Sequence, residues 1–248
     1  MSFHDHFSRN ASSYAAFRPR YPAALFAALA NAVSRHDAAW DAGTGNGQAA
    51  VALADHFSHV VATDASAAQI AAAKPHERVE YRVARAEMSG LATGSIDLVT
   101  VAQALHWFDI PTFFAEVRRV VRSNGVVAAW TYGLMTIDPT IDQIIADFEN
   151  RKVGPYWPGA RALVDTGYRT VDFPFEELSF PSFAIEQPMT LDTLTGYVRT
   201  WSSVARFVQA HGEDPVAPFI AEIAPWWGDR ERTRIVSFPL TVRVGRRE

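Results

Sequence analysis

The chain has 248 residues, 48% of them hydrophobic and 20% charged, which suits one sizeable core and is cramped for two. A net charge of -4 argues against a protein that grips nucleic acid mainly by neutralising phosphates, since that needs a basic face. The absence of cysteine excludes disulfides, thiolate metal sites and cysteine nucleophiles together.

The opening MSFHDHFSRN has no apolar signal-type run, and no stretch approaches the roughly 20 apolar residues that span a bilayer, so a soluble, cytoplasmic chain without membrane partners is expected. From about Trp40 to Gly133 short apolar runs alternate with helix-like stretches, the pattern of a βαβ sheet. A strand ending near Ala42 leads through a glycine loop into a helix at about Gln48 to His56. His59 to Asp64 forms the next strand, Ala67 to Ala73 a helix stopped by Pro75, and Val79 to Ala84 a third strand. Ile96 to Val101 reads as a buried strand, Ile110 to Val121 as a helix, and Gly125 to Trp130 as a fifth strand.

Beyond Gly133 the alternation weakens. A helix is expected at about Thr140 to Asn150, then a surface loop rich in Gly and Pro over 154–159, a strand at Phe175 to Phe183, and aromatic-rich helices from Leu191 to Gly228. Ile235 to Val244 reads as a last strand, with Pro239 placing it at an edge or a bulge.

The segment WDAGTGNGQ, residues 40–48, carries Gly43, Gly45 and Gly47 between a strand and a helix. Such loops bring backbone amides close to a ligand above the strand ends. A dinucleotide loop would follow Gly-x-Gly-x-x-Gly, but here Gln48 holds the third-glycine position and the glycine comes one residue early. Asp41, two residues before Gly43, would repel a pyrophosphate and attract an ammonium group. Asp64, 21 residues after Gly43, either accepts from both hydroxyls of a ribose or caps the following helix, with Ser66 a competing cap. Glu87, after the third strand, either accepts from an adenine amine or is a solvated loop residue. The three acids describe a ligand with an amine, a ribose and a base but no phosphate.

With WDAGTGNGQ, VVATDAS, VARAEMSGL and IDLVTVAQALHWFD in that order, the sequence resembles class I S-adenosylmethionine-dependent methyltransferases, in the small-molecule branch of the ubiquinone/menaquinone-pathway and trans-aconitate enzymes. The resemblance spans roughly Phe7 to Trp130. It implies an α/β fold: a Rossmann-like, doubly wound, seven-stranded, mostly parallel sheet with a C-terminal antiparallel strand and a helical insertion covering the site. One domain, 1–248, is expected, with a lid and helix over 1–35, a cofactor core over 36–133, and a C-terminal half over 134–248 whose insertion spans about 190–228.

The resemblance assigns S-adenosylmethionine as cofactor, its methionine part to Asp41, Gly43, Thr44 and Gly45, its ribose to Asp64 with Ala65, and its adenine edge to Ala86 and Glu87. Gln103 would lie beside the transferring methyl, and Tyr14 and Arg18, in a segment that looks like the family's lid, are cofactor or substrate contacts or simply pack and cap the first helix. Two departures stand out. Ala39-Trp40 replaces the usual aliphatic pair, and Ala102 to Trp107 replaces the Asn/Asp-Pro-Pro-aromatic segment of enzymes that methylate nucleic-acid bases, which disfavours nucleic-acid substrates.

Methyl transfer to a small molecule, with a carboxylate or a hydroxyl as acceptor, is the expected activity. A non-catalytic binding protein of the same fold and a nicotinamide-dependent oxidoreductase are the alternatives. His106 is either a general base or a hydrogen-bonded wall of the pocket, and an ionised carboxylate acceptor would need no base. Tyr21, Trp107, Trp130, Arg199 and Trp201 are candidate substrate residues, with Trp226 and Trp227 in the same aromatic-rich set. The stripe Leu194, Tyr197, Val198, Trp201 is more often core than pocket. His4, His6, His56, His59 and His76 show no metal-ligand spacing, and oligomeric state is not readable.

Overall fold

A computed structural model describes residues 19–248; Tyr14 and Arg18 lie outside them. Helix α1 (Ala23–Asn31) starts after Pro22 and turns Leu25, Phe26, Leu29 and Ala30 inward, a helical spacing that buries one face. Then come β1 (Ala38–Ala42), α2 (Gln48–Leu53), β2 (His59–Asp64), α3 (Ala67–Ala71), β3 (Val79–Val83), β4 (Ile96–Ala102), α4 (Ile110–Val120) and β5 (Val121–Tyr132). The expected order of elements holds throughout this half, with helix and strand ends shifted by a few residues.

The C-terminal half supplies α5 (Pro139–Asp147), α6 (Arg161–Asp165), β6 (Glu176–Glu177), β7 (Phe183–Met189), α7 (Leu191–Arg199), α8 (Ser202–His211), α9 (Val216–Trp227) and β8 (Arg234–Arg246). The sheet has eight strand segments in the order β3-β2-β1-β4-β5-β8-β6, with β7 also on β8. β3 to β5 run parallel, and β8 lies antiparallel to β5. β6 meets β8 at Gly245 and Arg246 while β7 meets it from Arg234 to Leu240, so the two share one edge lane and the sheet is seven strands wide. The strand expected over 175–183 is thus two pieces, β6 and the start of β7, separated by a non-strand stretch.

Pro239 lies in β8 between the bridge Thr136–Ser237 and the start of β5 pairing at Leu240. Ser237 exchanges both backbone bonds with Thr136 at 2.9 Å, so residue 239, two further on, would aim its amide into this gap. A missing N–H costs little there.

Both faces of the sheet are covered, and the period-two alternation is visible in which layer each residue joins. Ala39, Leu98 and Val126 pack with α1, α2 and the C-terminal helices. Their neighbours Trp40, Val99 and Val127 pack with α4 and with Val164, Tyr168 and Phe173. The bulky Trp40 fits because its indole N–H donates to Thr63 Oγ1 at 2.9 Å and its ring meets Phe113 at 6.0 Å. No helix among the described residues is long and apolar enough to cross a membrane.

Two buried carboxylates fasten loops to this frame. Asp97 accepts from the amides of Asp37 and Ala38, both at 2.9 Å, and from the Arg122 guanidinium, closing the edge where β1 begins. Glu116 on α4 accepts from Arg119 Nε at 2.7 Å, Ser89 N at 2.9 Å and Ser89 Oγ at 2.5 Å, which pins the loop after β3. The Arg119 guanidinium holds the Glu116 carboxyl down at about 2, against an opposing push from burial and with further help from Ser89.

A folded-state value below the ordinary 4.5 means that the clamp stabilises fully above pH 4.5 and loses its effect as pH falls toward 2. Glu116→Gln should therefore be less stable than wild type at neutral pH in urea denaturation, with the two stabilities converging between pH 4.5 and 2. A difference that stays constant across that window would show that Glu116 is not the clamp.

Candidate functional site

The site is built where the strand order reverses, since β1 has β2 on one side and β4 on the other. Ligands bind above such a switch point because the connecting loops diverge and leave a crevice. The glycine loop sits there. Gly43, Gly45 and Gly47 have φ of +69°, +57° and +87°, all left-handed, which L side chains resist.

Their surroundings differ. A Cβ on Gly43 would lie 2.6 Å from Ala104 Cβ, and one on Gly47 would lie 2.2 Å from the Tyr81 hydroxyl, so packing fixes both. A Cβ on Gly45 would meet nothing nearer than Gln69 Oε1 at 3.8 Å, leaving its backbone open to close approach. The loop is held from below, with the Gly43 and Thr44 amides donating to Thr63 O at 2.8 and 2.9 Å and the Gly45 amide to Asp64 Oδ2 at 2.8 Å.

Asp41 corrects the expectation of a direct ligand contact. It is fully buried and accepts from Thr44 Oγ1 at 2.6 Å and Thr100 Oγ1 at 2.7 Å, tying the loop to β4. Burial lifts its carboxyl to about 6, opposed by the two threonine hydroxyls and helped by the nearby Asp64 charge. It therefore acts on the loop's shape and on the local field, not by touching a ligand.

Asp64 ends β2, half-buried, and its Oδ1 accepts from Ser66 N at 2.8 Å. The cap of α3 is Ser66, whose Oγ accepts from Gln69 N at 3.4 Å, so Asp64 is not the cap. Ala65, half-buried, adjoins it, and Ala86 is buried. Glu87 is not loosely solvated: Oε1 accepts from Asp109 N at 2.9 Å and Oε2 from Arg85 Nε at 3.2 Å, which joins the loop after β3 to the start of α4.

Beside the loop, at the ends of β4 and β5, lies a cleft of about 100 Å³. Gln103, His106, Trp107, Tyr132, Tyr197 and Trp201 contribute to its walls, together with Glu149, Trp157 and Arg161. Gln103 has φ of +54°, a left-handed backbone unusual outside glycine and characteristic of constrained sites. Its Nε2 donates to Tyr132 O at 3.2 Å and its Oε1 accepts from Thr131 Oγ1. His106 Nδ1 lies 2.9 Å from the Tyr168 hydroxyl, and its ring stacks at a tilt on Trp107, 4.7 Å between centroids.

Other expected substrate residues lie elsewhere. Trp130 is fully buried, in edge contact with Tyr21 at 5.4 Å and Phe26 at 6.1 Å, because its position on β5 faces the helix layer instead of the cleft; Tyr21 packs on that same core. Arg199 pairs with Asp214 at 2.9 Å on the exposed side of α7. Trp227 is core and Trp226 is 55% exposed. The stripe Leu194, Tyr197, Val198, Trp201 is core as expected, although Tyr197 and Trp201 also line the cleft.

The sequence reading missed Tyr168, Glu149, Arg161 and Trp157. Residues 154–159 do not form a mere surface loop, since Trp157 and Pro158 wall the cleft and the Arg161 guanidinium sits 4.3 Å over the Trp157 ring. Arg161 pairs with Glu149 at 2.9 Å and with Asp165 at 2.7 Å. A Trp flanked by Gly and Pro was the available signal, because a large aromatic in a turn has to bury its surface against something.

A switch-point loop of left-handed glycines, an acid at the next strand's end and an adjoining aromatic cleft define a nucleoside-cofactor enzyme of the doubly wound α/β class. Residues 40–129 match the family model of a methyltransferase domain. Over 224 residues the chain is 36% identical to a Dictyostelium discoideum protein named as a methyltransferase, covering 89% of this chain and 85% of that one. A solved structure from Anaeromyxobacter dehalogenans, described as a type II methyltransferase, superposes with a TM-score of 0.89 at 43% identity over 93% of this chain and 98% of that one. A segment of 100 residues is 29% identical to a Saccharomyces cerevisiae protein named as S-adenosylmethionine-dependent, 37% of this chain and 34% of that one.

The chain belongs to the class I S-adenosylmethionine-dependent methyltransferases. The residues present fit that cofactor: the space above Gly45 that a Cβ would enter is a cradle for backbone contact, and Asp64 beside it is a ribose-type acceptor. Gly45→Ala should leave the fold close to wild type in thermal unfolding, within the roughly 1–2 kcal/mol of a left-handed alanine. It should also weaken S-adenosylhomocysteine binding at least tenfold by calorimetry. Undiminished affinity would remove Gly45 from the cradle.

Proposed function

We propose that the protein transfers the methyl group of S-adenosylmethionine to an oxygen of a small molecule, with a hydroxyl on a planar or aromatic frame as the acceptor. The observation that carries this reading is the contact between the two halves of the site. Gly43 in the cofactor loop packs so closely on Ala104 that no Cβ fits between them, and Gln103 and His106, on either side of Ala104, wall the cleft. A ligand held along Gly45, Asp64, Ala65, Ala86 and Glu87 would therefore border whatever the cleft holds.

The cofactor supplies a methyl group already activated by a sulfonium charge. The chain's own part is to align and dry the acceptor, and positioning of this kind can supply up to roughly 7–11 kcal/mol. Trp107, Tyr132, Tyr197 and Trp201 offer flat apolar walls suited to an aromatic frame. The His106 imidazole, on the cleft wall, would take the proton that the acceptor hydroxyl loses when the methyl leaves sulfur for oxygen and the cofactor departs as a neutral thioether.

A hydroxyl is favoured over a carboxylate by where the arginines point. Arg199 is committed to Asp214 outside the cleft, and Arg161, which does line it, is neutralised by Glu149 and Asp165. A carboxylate would meet no uncommitted guanidinium among the described residues of the cleft.

S-adenosylhomocysteine should bind with a micromolar Kd, about -8 kcal/mol, and Asp64→Ala should weaken it at least tenfold. No heat of binding at millimolar ligand would defeat the cofactor assignment. With labelled S-adenosylmethionine and a panel of phenols, aliphatic alcohols and carboxylates, turnover should favour phenols; methyl esters from the carboxylates alone would overturn the hydroxyl reading.

A further inference from the structure

The Glu149–Arg161 ion pair in the cleft wall leaves one polar atom of each partner uncommitted. Glu149 Oε1 accepts from Arg161 Nη2 at 2.9 Å, and Arg161 Nε donates to Asp165 Oδ1 at 2.7 Å. Among the described residues nothing bonds Glu149 Oε2 or Arg161 Nη1, and neither atom is among the buried polar atoms that lack a partner, so both reach open space. The two side chains are otherwise well covered, 12% and 19% exposed, and both line the cleft.

The backbone brings the carboxylate to that wall in an uncommon way. Past Asp147, α5 runs on as a single turn of π-helix, Phe148–Lys152, with Val153 N donating to Phe148 O, five residues back, at 3.0 Å. Phe148 stacks on Phe219 of α9, 4.1 Å between ring centroids, which holds the start of the turn in the core. Glu149 is the next residue. Single π turns are rare and recur at functional sites. Arg161 is held in turn by Asp165 and by the Trp157 ring beneath its guanidinium.

A carboxylate oxygen can only accept a hydrogen bond, and a guanidinium nitrogen can only donate one. A carboxylate on the bound molecule would therefore face Glu149 and an ammonium would face Arg161, like charge against like in a partly desolvated wall. A neutral hydroxyl suits both, since it donates its proton to Oε2 and accepts from Nη1. We infer that Glu149 and Arg161 recognise a second hydroxyl on the acceptor, one that is not methylated, which makes the substrate class a dihydroxy or polyhydroxy aromatic compound. The pair is neutral as a whole, yet its two open ends still sort ligands by their donors and acceptors. A site built to bond a hydroxyl rejects the analogue that lacks it, because its own polar groups are then left unpaired.

The inference rests on the proposal that the cleft takes a phenolic hydroxyl. Its test uses labelled S-adenosylmethionine and ring-matched pairs, each benzenediol beside the methoxyphenol of the same substitution, with hydroxybenzoates, hydroxybenzylamines and hydroxybenzamides alongside. For at least one substitution pattern the diol should exceed its methoxyphenol by about tenfold or more in kcat/KM, and should exceed the charged phenols as well. In Glu149→Gln the amide carbonyl turns to the Arg161 guanidinium and the amide nitrogen takes the place of Oε2, so an acceptor becomes a donor. The diol preference should then fall about fivefold or more, chiefly through KM, and methylation of the hydroxybenzoate hydroxyl should rise above wild type. A purely structural loss at Glu149 would depress every substrate alike.

Diol and methoxyphenol turning over alike in wild type, a hydroxybenzamide preferred to the diol, or a Glu149→Gln variant that keeps the wild-type ratios overturns the inference. Should Glu149→Gln not fold, the wild-type ratios decide alone. Turnover of methoxyphenols without a diol preference defeats this inference and leaves the phenol reading standing, whereas no methylation of any arene defeats the phenol reading and this inference with it.

Discussion

The Asp41 carboxylate is the point on which the site depends. A fully buried charge is expensive unless it is well bonded, and this one is lifted to about 6 by burial even with two threonine hydroxyls on it. One of those hydroxyls belongs to the glycine loop and the other to β4, so the same carboxylate fixes the loop's shape and binds it to the strand that Gln103 follows. The fold thus places a costly group under the switch point, where it holds the cofactor half against the acceptor half. Functional sites are where such local costs are retained.

That burial also revises how the acid acts. Burial pushes the Asp41 carboxyl up to about 6 beneath the loop, and Asp64 lies close enough to raise it further. Two acids on adjoining strands beneath the loop oppose a pyrophosphate and favour a cationic ligand. Above that charge the Gly45 backbone is left open, and its amide is held by the Asp64 carboxylate. The early third glycine has its own steric reason, because Gly47 passes the Tyr81 hydroxyl too closely for any side chain.

The sequence shows the parallel half clearly because that half obeys local rules: β-branched strands, alanine-rich helices and a glycine loop, each encoded within a few residues. The C-terminal half was harder to read for a physical reason. Its cleft residues come from several separate elements, and Tyr168 is tied to the cleft through His106, 62 residues away in the chain. Trp130 and Arg199 show the opposite error. A residue type suited to a pocket says nothing about direction, and on β5 a one-residue step decides whether a side chain faces the core, as Trp130 does, or the opposite layer, as Ala129 does. Glu87 likewise carries a structural bond to Asp109 that spacing could not show.

The two halves of the site recognise their ligands by different physics. The cofactor half uses fixed backbone and buried charge, which is why a short motif identifies it. In the cleft, Glu149 and Arg161 neutralise one another, and Trp107, Tyr132, Trp157, Tyr197 and Trp201 supply aromatic surface beside Gln103, Thr200 and Ser202. Selection there depends on shape and stacking, which tolerate many sequences, and a fold that keeps its cofactor loop can change acceptors by altering only the helices above the cleft.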